Sequence, residues 1–426
     1  MELRLLKEKL VAGVFSAQLK ELYLVNDDGL AAVQTRYLGA LTAFEDLFGN
    51  LDVAIYSAPG RSEVGGNHTD HQHGKVLAAA VNMDAIAVVA KSDDDIVEFV
   101  SEGYEIAAID LRELAVCADE KFSTVALIKG VCAKFNSEGY RVGGFKAYCT
   151  STVLKGSGIS SSAAFEVLVG VILNHEFNQG QVSAIKIAQI AQYAENVYFG
   201  KPCGLMDQMA SSVGGFVFID FRDINSPVVE KIDFDIAASG YQLCLVDTGG
   251  NHADLSEEYG LMVSDMKSVA AVFGKEFLIE VAAEDFYQQL AKVREVCDDR
   301  AILRAFHFFA DDARVLTLVE KLQKGDIDAF FDNVKESGRS SFMYLQNVFC
   351  VKTPKEQGLA LALALSARIL GQQGAYRVHG GGLAGTIQAY VPNSLVNEYR
   401  AGLEAVFGLG SCHFLAIRPF GGIKVL

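Results

Sequence analysis

What the chain lacks narrows its chemistry before any motif is read. Its eight cysteines are scattered from Cys117 to Cys412 with no C-x-x-C pair among them, which excludes a dithiol redox motif or a zinc knuckle and leaves reduced, mostly core thiols. Positive charge is scarce. The net charge is -16, and with no basic stripe to offset it, neither a nucleic-acid backbone nor an anionic membrane surface is expected as the main partner. Long apolar runs are missing too. The start, Met1-Glu2-Leu3-Arg4-Leu5-Leu6-Lys7, has no signal core, and the apolar stretch near Val76 to Ala90 is broken by Asn82 and Asp84. Neither export nor membrane insertion is expected, and the cytoplasm is the expected location. There is no internal repeat and no low-complexity tract.

What remains is half hydrophobic and 21% charged over 426 residues, ample for a buried core and, at roughly 150 residues each, for two or three domains. The first forty-odd residues read as helical, with Asn26-Asp27-Asp28-Gly29 as a turn. Strand-like runs follow at Val53 to Tyr56, Val76 to Val81, Ala85 to Ala90 and Gly144 to Val153. Helical spacing then links Ala164, Val167, Leu168, Val171 and Ile172, and again Ile187, Ile190, Ala191, Ala194 and Val197. Gly215 to Phe221 and Tyr241 to Asp247 read as strands on either side of a polar junction. The rest is mostly helical until Ala384 to Val391 and His413 to Arg418. The mixture predicts an α+β protein.

Chemistry-bearing residues gather in four places. Ala58 to Gly74, after the first strand, reads as a loop that packs Arg61, Glu63, Asn67, His68, Asp70 and further histidines between glycines, as a small polar ligand requires. The spacing His68, His71, His73 matches neither H-E-x-x-H nor a Cys/His finger. Lys155-Gly156-Ser157-Gly158-Ile159-Ser160-Ser161-Ser162-Ala163-Ala164 joins a strand to a helix, so free N–H groups and the helix dipole favour a phosphate, although neither a Walker A loop nor G-x-G-x-x-G is present. Pro202-Cys203-Gly204-Leu205-Met206-Asp207-Gln208 puts a carboxylate at a helix start, where it is either a cap or an ionised group able to orient a hydroxyl. Glu195, on the preceding helix, is either a solvated face or a magnesium ligand. His379-Gly380-Gly381-Gly382-Leu383-Ala384-Gly385 precedes a strand and in isolation marks close backbone packing.

In this order and spacing the segments resemble the GHMP kinase superfamily, and within it the galactokinase branch. Its patterns G-R-x-N-x-I-G-E-H-T-D-Y, G-x-G-L-S-S-S-A, C-G-x-M-D-Q and G-G-G-F-G-G are similar to the four segments in turn, and the resemblance spans roughly residues 40 to 426. It implies an N-terminal mixed α/β domain of the ribosomal S5 domain 2-like type (1–230, joined by a returning strand in 413–426) and a ferredoxin-like C-terminal domain (231–412). It also implies phosphoryl transfer from MgATP to the anomeric hydroxyl of galactose. Asp207 and Arg61 would be catalytic, and the sugar would meet Arg61, Asn67, His68, Asp70, Gly204, Asp207 and Tyr259. The phosphates would lie on Gly156, Ser157, Gly158, Ile159, Ser160, Ser161, Ser162 and Ala163, and Mg2+ on Ser162 and Glu195. Sugar and ATP are the expected partners.

Four positions depart from the pattern. Glu63 stands for Asn, Gly65 for Ile, Asn67 for Glu and His71 for Tyr. The resemblance puts the missing Glu at the sugar's C6 hydroxyl, so Asn67 is expected to alter recognition there and would tolerate a C6 carboxylate. The plant galacturonokinases resemble this chain in that respect. A third possibility is a non-catalytic galactose and ATP sensor that binds a transcriptional repressor, but such relatives lack the Ser-Ala pair present here as Ser162-Ala163.

Overall fold

The computed structural model describes residues 1–104, 106–153, 159–250 and 255–426. The sequence does not open on a turn at Asn26. Instead the Asn26 side chain accepts from the Gly29 amide at 3.0 Å and caps the helix Asp27–Phe48, whose first turn carries Asp27 and Asp28. Asn and Asp act as helix starters here because they satisfy free amides and complement the dipole.

The described strands are β1 (Ala54–Gly65), β2 (Lys75–Lys91), β3 (Ile96–Ser101), β4 (Ile109–Asp110), β5 (Phe145–Ser151), β6 (Phe216–Asp220), β7 (Val228–Ile232), β8 (Tyr241–Asp247), β9 (Ala375–Val378), β10 (Thr386–Pro392), β11 (Cys412–Leu415) and β12 (Ile423–Lys424). They form two sheets. The first runs β12-β1-β2-β5-β3-β4, with β6 and β7 attached beyond β2, and the second runs β11-β8-β10-β9.

Both faces of the first sheet are covered, which is why its strands read as nearly unbroken apolar runs. Alternate residues go opposite ways. Tyr56, Ala58, Ala87 and Val89 join the core under the helix Ser161–Asn178, while Ile55, Ile86 and Val88 meet Leu6, Tyr37 and Phe44 of the N-terminal helices. Leu77 and Phe216 of the first sheet share a third core with Leu243, Leu245 and Tyr390 of the second. The two halves are thus fused along an apolar seam.

Several boundaries differ from the reading of the sequence. Val76 to Val81 and Ala85 to Ala90 are one strand, because β2 continues through Asn82 and Asp84 while changing neighbours from β6 to β5. The first part of the supposed loop, Ala58 to Gly65, is also strand: β1 runs on to Gly65, accommodating Pro59 at a register shift where a missing N–H does no harm. The end of the chain does return to the first sheet, but through β12, which pairs Lys424 with Tyr56 and Ile423 with Ser57. His413 to Leu415 instead pairs with β8 in the second sheet. Residue 230 falls within β7, which pairs with β6 in the first sheet.

Candidate active site

Arg61 lies inside β1, where Gly60 brings the backbone against the phosphate-loop segment. Arg61 N donates to the Ile159 carbonyl at 3.1 Å, and a Cβ on Gly60 would stand 2.6 Å from Ile159 Cγ2. From this strand the guanidinium reaches Asp207 with two parallel bonds, Nε to Oδ1 at 2.7 Å and Nη2 to Oδ2 at 2.8 Å. This fork is the strongest way to orient a carboxylate. Asp207 does not cap its helix, Met206–Val213, whose start has no side-chain cap. Its Oδ2 also accepts from the Ser160 hydroxyl. Burial raises its proton affinity, but Arg61, Ser160 and Lys201 outweigh it and hold the carboxyl below the usual aspartate range. Asp207 is therefore an ionised carboxylate, aimed by Arg61 and still 28% exposed.

Ser160 adopts a left-handed backbone, φ 58°, and opens the helix Ser161–Asn178, again without a side-chain cap. Such a start leaves backbone amides for an anion. Ile159 to Ala163 stand at this start; Gly156, Ser157 and Gly158 lie outside the described residues.

The two expected magnesium residues come together, Ser162 Oγ donating to Glu195 Oε1 at 3.0 Å. Glu195 is no solvated helix face. Its helix, Ala184–Tyr193, passes into a π-turn over Ala194–Phe199, which breaks the 3.6-residue rhythm, leaves Val197 40% exposed and buries Glu195. Glu195 also meets Lys201 Nζ at 3.3 Å and Gln208 Nε2 at 2.7 Å. Gln208 shares that amide with Glu166 Oε2 at 3.2 Å, and Glu166 Oε1 is buried with no hydrogen-bond partner among the described residues. Among the described residues no group of three or more His, Cys, Asp or Glu forms a cage for a metal. A hydroxyl, a carboxylate and an unsatisfied buried oxygen are nevertheless hard donors that suit magnesium, which fills its shell from water and phosphates. Glu166 and Gln208 had no role in the sequence reading, although Gln208 stands in the C-G-x-M-D-Q motif.

The residues expected at the sugar gather in two places, at Asp70 and at the glycine cluster. Gly204 abuts Asp70 so closely that a Cβ there would lie 1.9 Å from Asp70 Oδ2. His68 Nε2 is 3.0 Å from the Gly381 carbonyl, and Tyr259 Oη donates to the Gly382 carbonyl at 2.9 Å. His68 is stacked with Tyr259 on one hand and His71 on the other, so His71 fills its place by ring packing. Burial, reinforced by His71, pushes the His68 imidazole down to about 3. It is neutral at physiological pH.

Asn67 departs from expectation. Its side chain is fully buried and saturated: Nδ2 donates to Glu63 Oε2 at 3.2 Å and the Gly380 carbonyl at 2.7 Å, while Oδ1 accepts from Ser341 Oγ at 3.1 Å and Asn347 Nδ2 at 2.7 Å. Two donors and two acceptor sites are all that an amide has, so nothing is left to read a sugar C6 group. Gly65 is explained by packing, since a Cβ there would lie 2.4 Å from Leu318 Cδ1.

Comparison with known proteins shows the family. The pattern described as the galactokinase galactose-binding signature matches residues 42–91, and the GHMP kinases N terminal domain matches residues 126–215. A galactokinase of Streptomyces coelicolor is 32% identical over 389 residues, covering 90% of this chain and 97% of that one. The chain belongs to the galactokinase family. A galactokinase of Glaesserella parasuis is 30% identical, covering 84% of this chain and 90% of its own. The crystal structure of Lactococcus lactis galactokinase complexed with galactose superposes with a TM-score of 0.77 at 22% identity, covering 91% of this chain and all of that one. Methanococcus jannaschii mevalonate kinase superposes with a TM-score of 0.59 at 12% identity over 86% of this chain and 98% of its own, so the fold is the two-domain α+β fold of the GHMP kinases. No helix among the described residues is long and apolar enough to cross a membrane.

Proposed function

We propose that the protein transfers the γ-phosphoryl group of ATP to the C1 hydroxyl of galactose. The observation that carries this reading is the Arg61–Asp207 fork, with Ser160 bonded to the same carboxylate at the start of the phosphate-loop helix. It puts an ionised, partly open carboxylate beside an anion-binding helix start, which is the arrangement a kinase needs between acceptor hydroxyl and phosphate. Phosphoryl transfer depends on positioning and on charge neutralisation more than on covalent help from the protein.

Asp207 aims the acceptor hydroxyl and takes its proton, and Arg61 holds that carboxylate ionised while adding positive charge where negative charge develops. The helix start at Ser161 to Ala163 holds phosphate oxygens. Ser162 and Glu195 would hold magnesium, with Gln208 fixing the Glu195 carboxylate. When bound, magnesium neutralises charge on the phosphoryl oxygens. His68, Asp70, Tyr259 and the backbone at Gly204 receive the sugar hydroxyls. ATP implies work in the cytoplasm, and all eight cysteines being free suits a reducing compartment.

The enclosed Asn67 takes away the argument for a sugar altered at C6, so galactose is the expected acceptor. The test is ATP-dependent ADP release with magnesium against galactose, galacturonate, glucuronate, fucose and glucose. Turnover on galactose is expected. Turnover on galacturonate instead, or silence on every sugar, would overturn this reading.

A further inference from the structure

The departures at 63 and 67 are one exchange. The galactokinase pattern has an amide at the first position and a carboxylate at the second; this chain has Glu63 and Asn67, joined side chain to side chain at 3.2 Å. The same two groups are present with their places traded across one hydrogen bond. Glu63 Oε1 accepts from Arg377 Nη2 at 2.9 Å, and both residues are buried. Arg377 is held in turn by the Val64 carbonyl and Ser337 Oγ, each at 3.0 Å, and by the Val378 carbonyl at 2.7 Å.

From Asn67 the network leads to the carbonyls that hold the sugar-side residues. Asn67 Nδ2 fixes the Gly380 carbonyl, and Asn347 Nδ2 spans from Asn67 Oδ1 to the Gly381 carbonyl at 3.2 Å. Gly381 and Gly382 then bind His68 and Tyr259. The glycine loop has no slack between these two sets of contacts. A Cβ on Gly382 would lie 2.1 Å from the Asn347 carbonyl oxygen, and one on Gly381 would lie 2.6 Å from the Tyr259 ring.

We propose that Glu63, Asn67 and Arg377 form a buried positioning unit that sets the Gly380–Gly382 carbonyls, and through them His68 and Tyr259, without touching the sugar. This rests on the sugar-kinase reading above. It also reverses an expectation from the sequence. Asn67→Glu does not restore galactose recognition at C6, but puts a second carboxylate beside Glu63 in a closed space with one guanidinium. Glu63→Asn alone leaves Arg377 buried without its counter-charge. The double exchange, Glu63→Asn with Asn67→Glu, returns one carboxylate, one amide and one guanidinium.

The experiment compares wild type, Asn67→Glu, Glu63→Asn, their combination and Asn347→Ala as full-length proteins. Galactose KM, ATP KM and kcat are measured, and urea midpoints are taken without ligand. Each single charge change is expected to raise the galactose KM about tenfold or more with the ATP KM held within about twofold, and the combination to recover to within about threefold of wild type, because contacting sites are not additive. Asn347→Ala deletes the link between Asn67 and Gly381 without changing charge, and the lost side chain carries an unpartnered Oδ1. It should fold and raise the galactose KM several-fold. An unchanged galactose KM in Asn347→Ala, an ATP KM that rises in step, or a combination no better than the worse single variant overturns the proposal. If the wild type ignores galactose, the functional reading fails by itself. The urea midpoints need no sugar, and a combination that recovers none of the lost stability refutes the pairing separately.

Discussion

Two arginine–carboxylate pairs flank the same stretch of β1, and they have opposite fates. Arg61 and Asp207 meet at 2.7 Å with the carboxylate still 28% exposed; Arg377 and Glu63 meet at 2.9 Å with 0% and 3% exposure. At Asp207, three partners outweigh burial and the proton affinity falls. At Glu63, burial outweighs Arg377 and Arg61 and pushes the carboxyl up to about 7. Identical chemistry thus leaves one carboxylate open to an approaching ligand and closes the other in. Access, more than residue type, separates the two roles.

The comparison breaks most sharply at Asp207. Asp207→Ala is expected to lower kcat by about 10²–10⁴-fold while nucleotide binding is retained, and the urea midpoint also falls because Arg61 is left buried without its partner; turnover near wild type would remove Asp207 from the chemistry. The sealed pair is read through stability. Arg377→Met leaves the Glu63 carboxylate buried without its guanidinium and should cost about 3–5 kcal/mol in urea unfolding, and a loss below about 1 kcal/mol would mean that Glu63 does not depend on it.

A further expected effect concerns pH. His68 titrates at about 3 in the folded protein, because burial, His71, His307 and Arg304 disfavour its charge more than the Gly381 carbonyl favours it, against an ordinary value near 6.5. The unfolded chain therefore takes up a proton that the folded chain refuses. Stability from this group is complete above about 6.5 and is lost as pH falls toward 3, with a limiting slope of about 1.4 kcal/mol per pH unit. His68→Asn, which suits the positive φ of 58°, should flatten that limb when unfolding is followed between pH 7 and 4. Glu63 contributes the opposite sign between about 4.5 and 7, so the difference between variant and wild type is the informative quantity. An unchanged slope would show that His68 is protonated in the fold.

The strands around Ile55, Tyr56, Ile86 and Ala87 were legible as apolar runs, because a strand covered on both faces carries few polar residues. Their extent was not. Pro59, Gly60 and Gly65 look like loop, and only pairing to β2 makes them strand. Glu195 could be read as a ligand only in company with the other motifs, because its bonds to Ser162, Lys201 and Gln208 come from other segments of the chain.

Motif order was sufficient for the α+β class and for the resemblance to the family, and it was that resemblance, more than spacing or composition, that singled out Arg61, Asp207, Ser162 and Glu195, which the fold brings together as two contacting pairs. The side chain of Asn67 is a different matter. One partner, Glu63, stands four residues away, but Ser341, Asn347 and Gly380 lie 274, 280 and 313 residues further along the chain. Whether a polar group faces a ligand or is consumed by the protein depends on what the folded chain brings to it, and no local pattern encodes that.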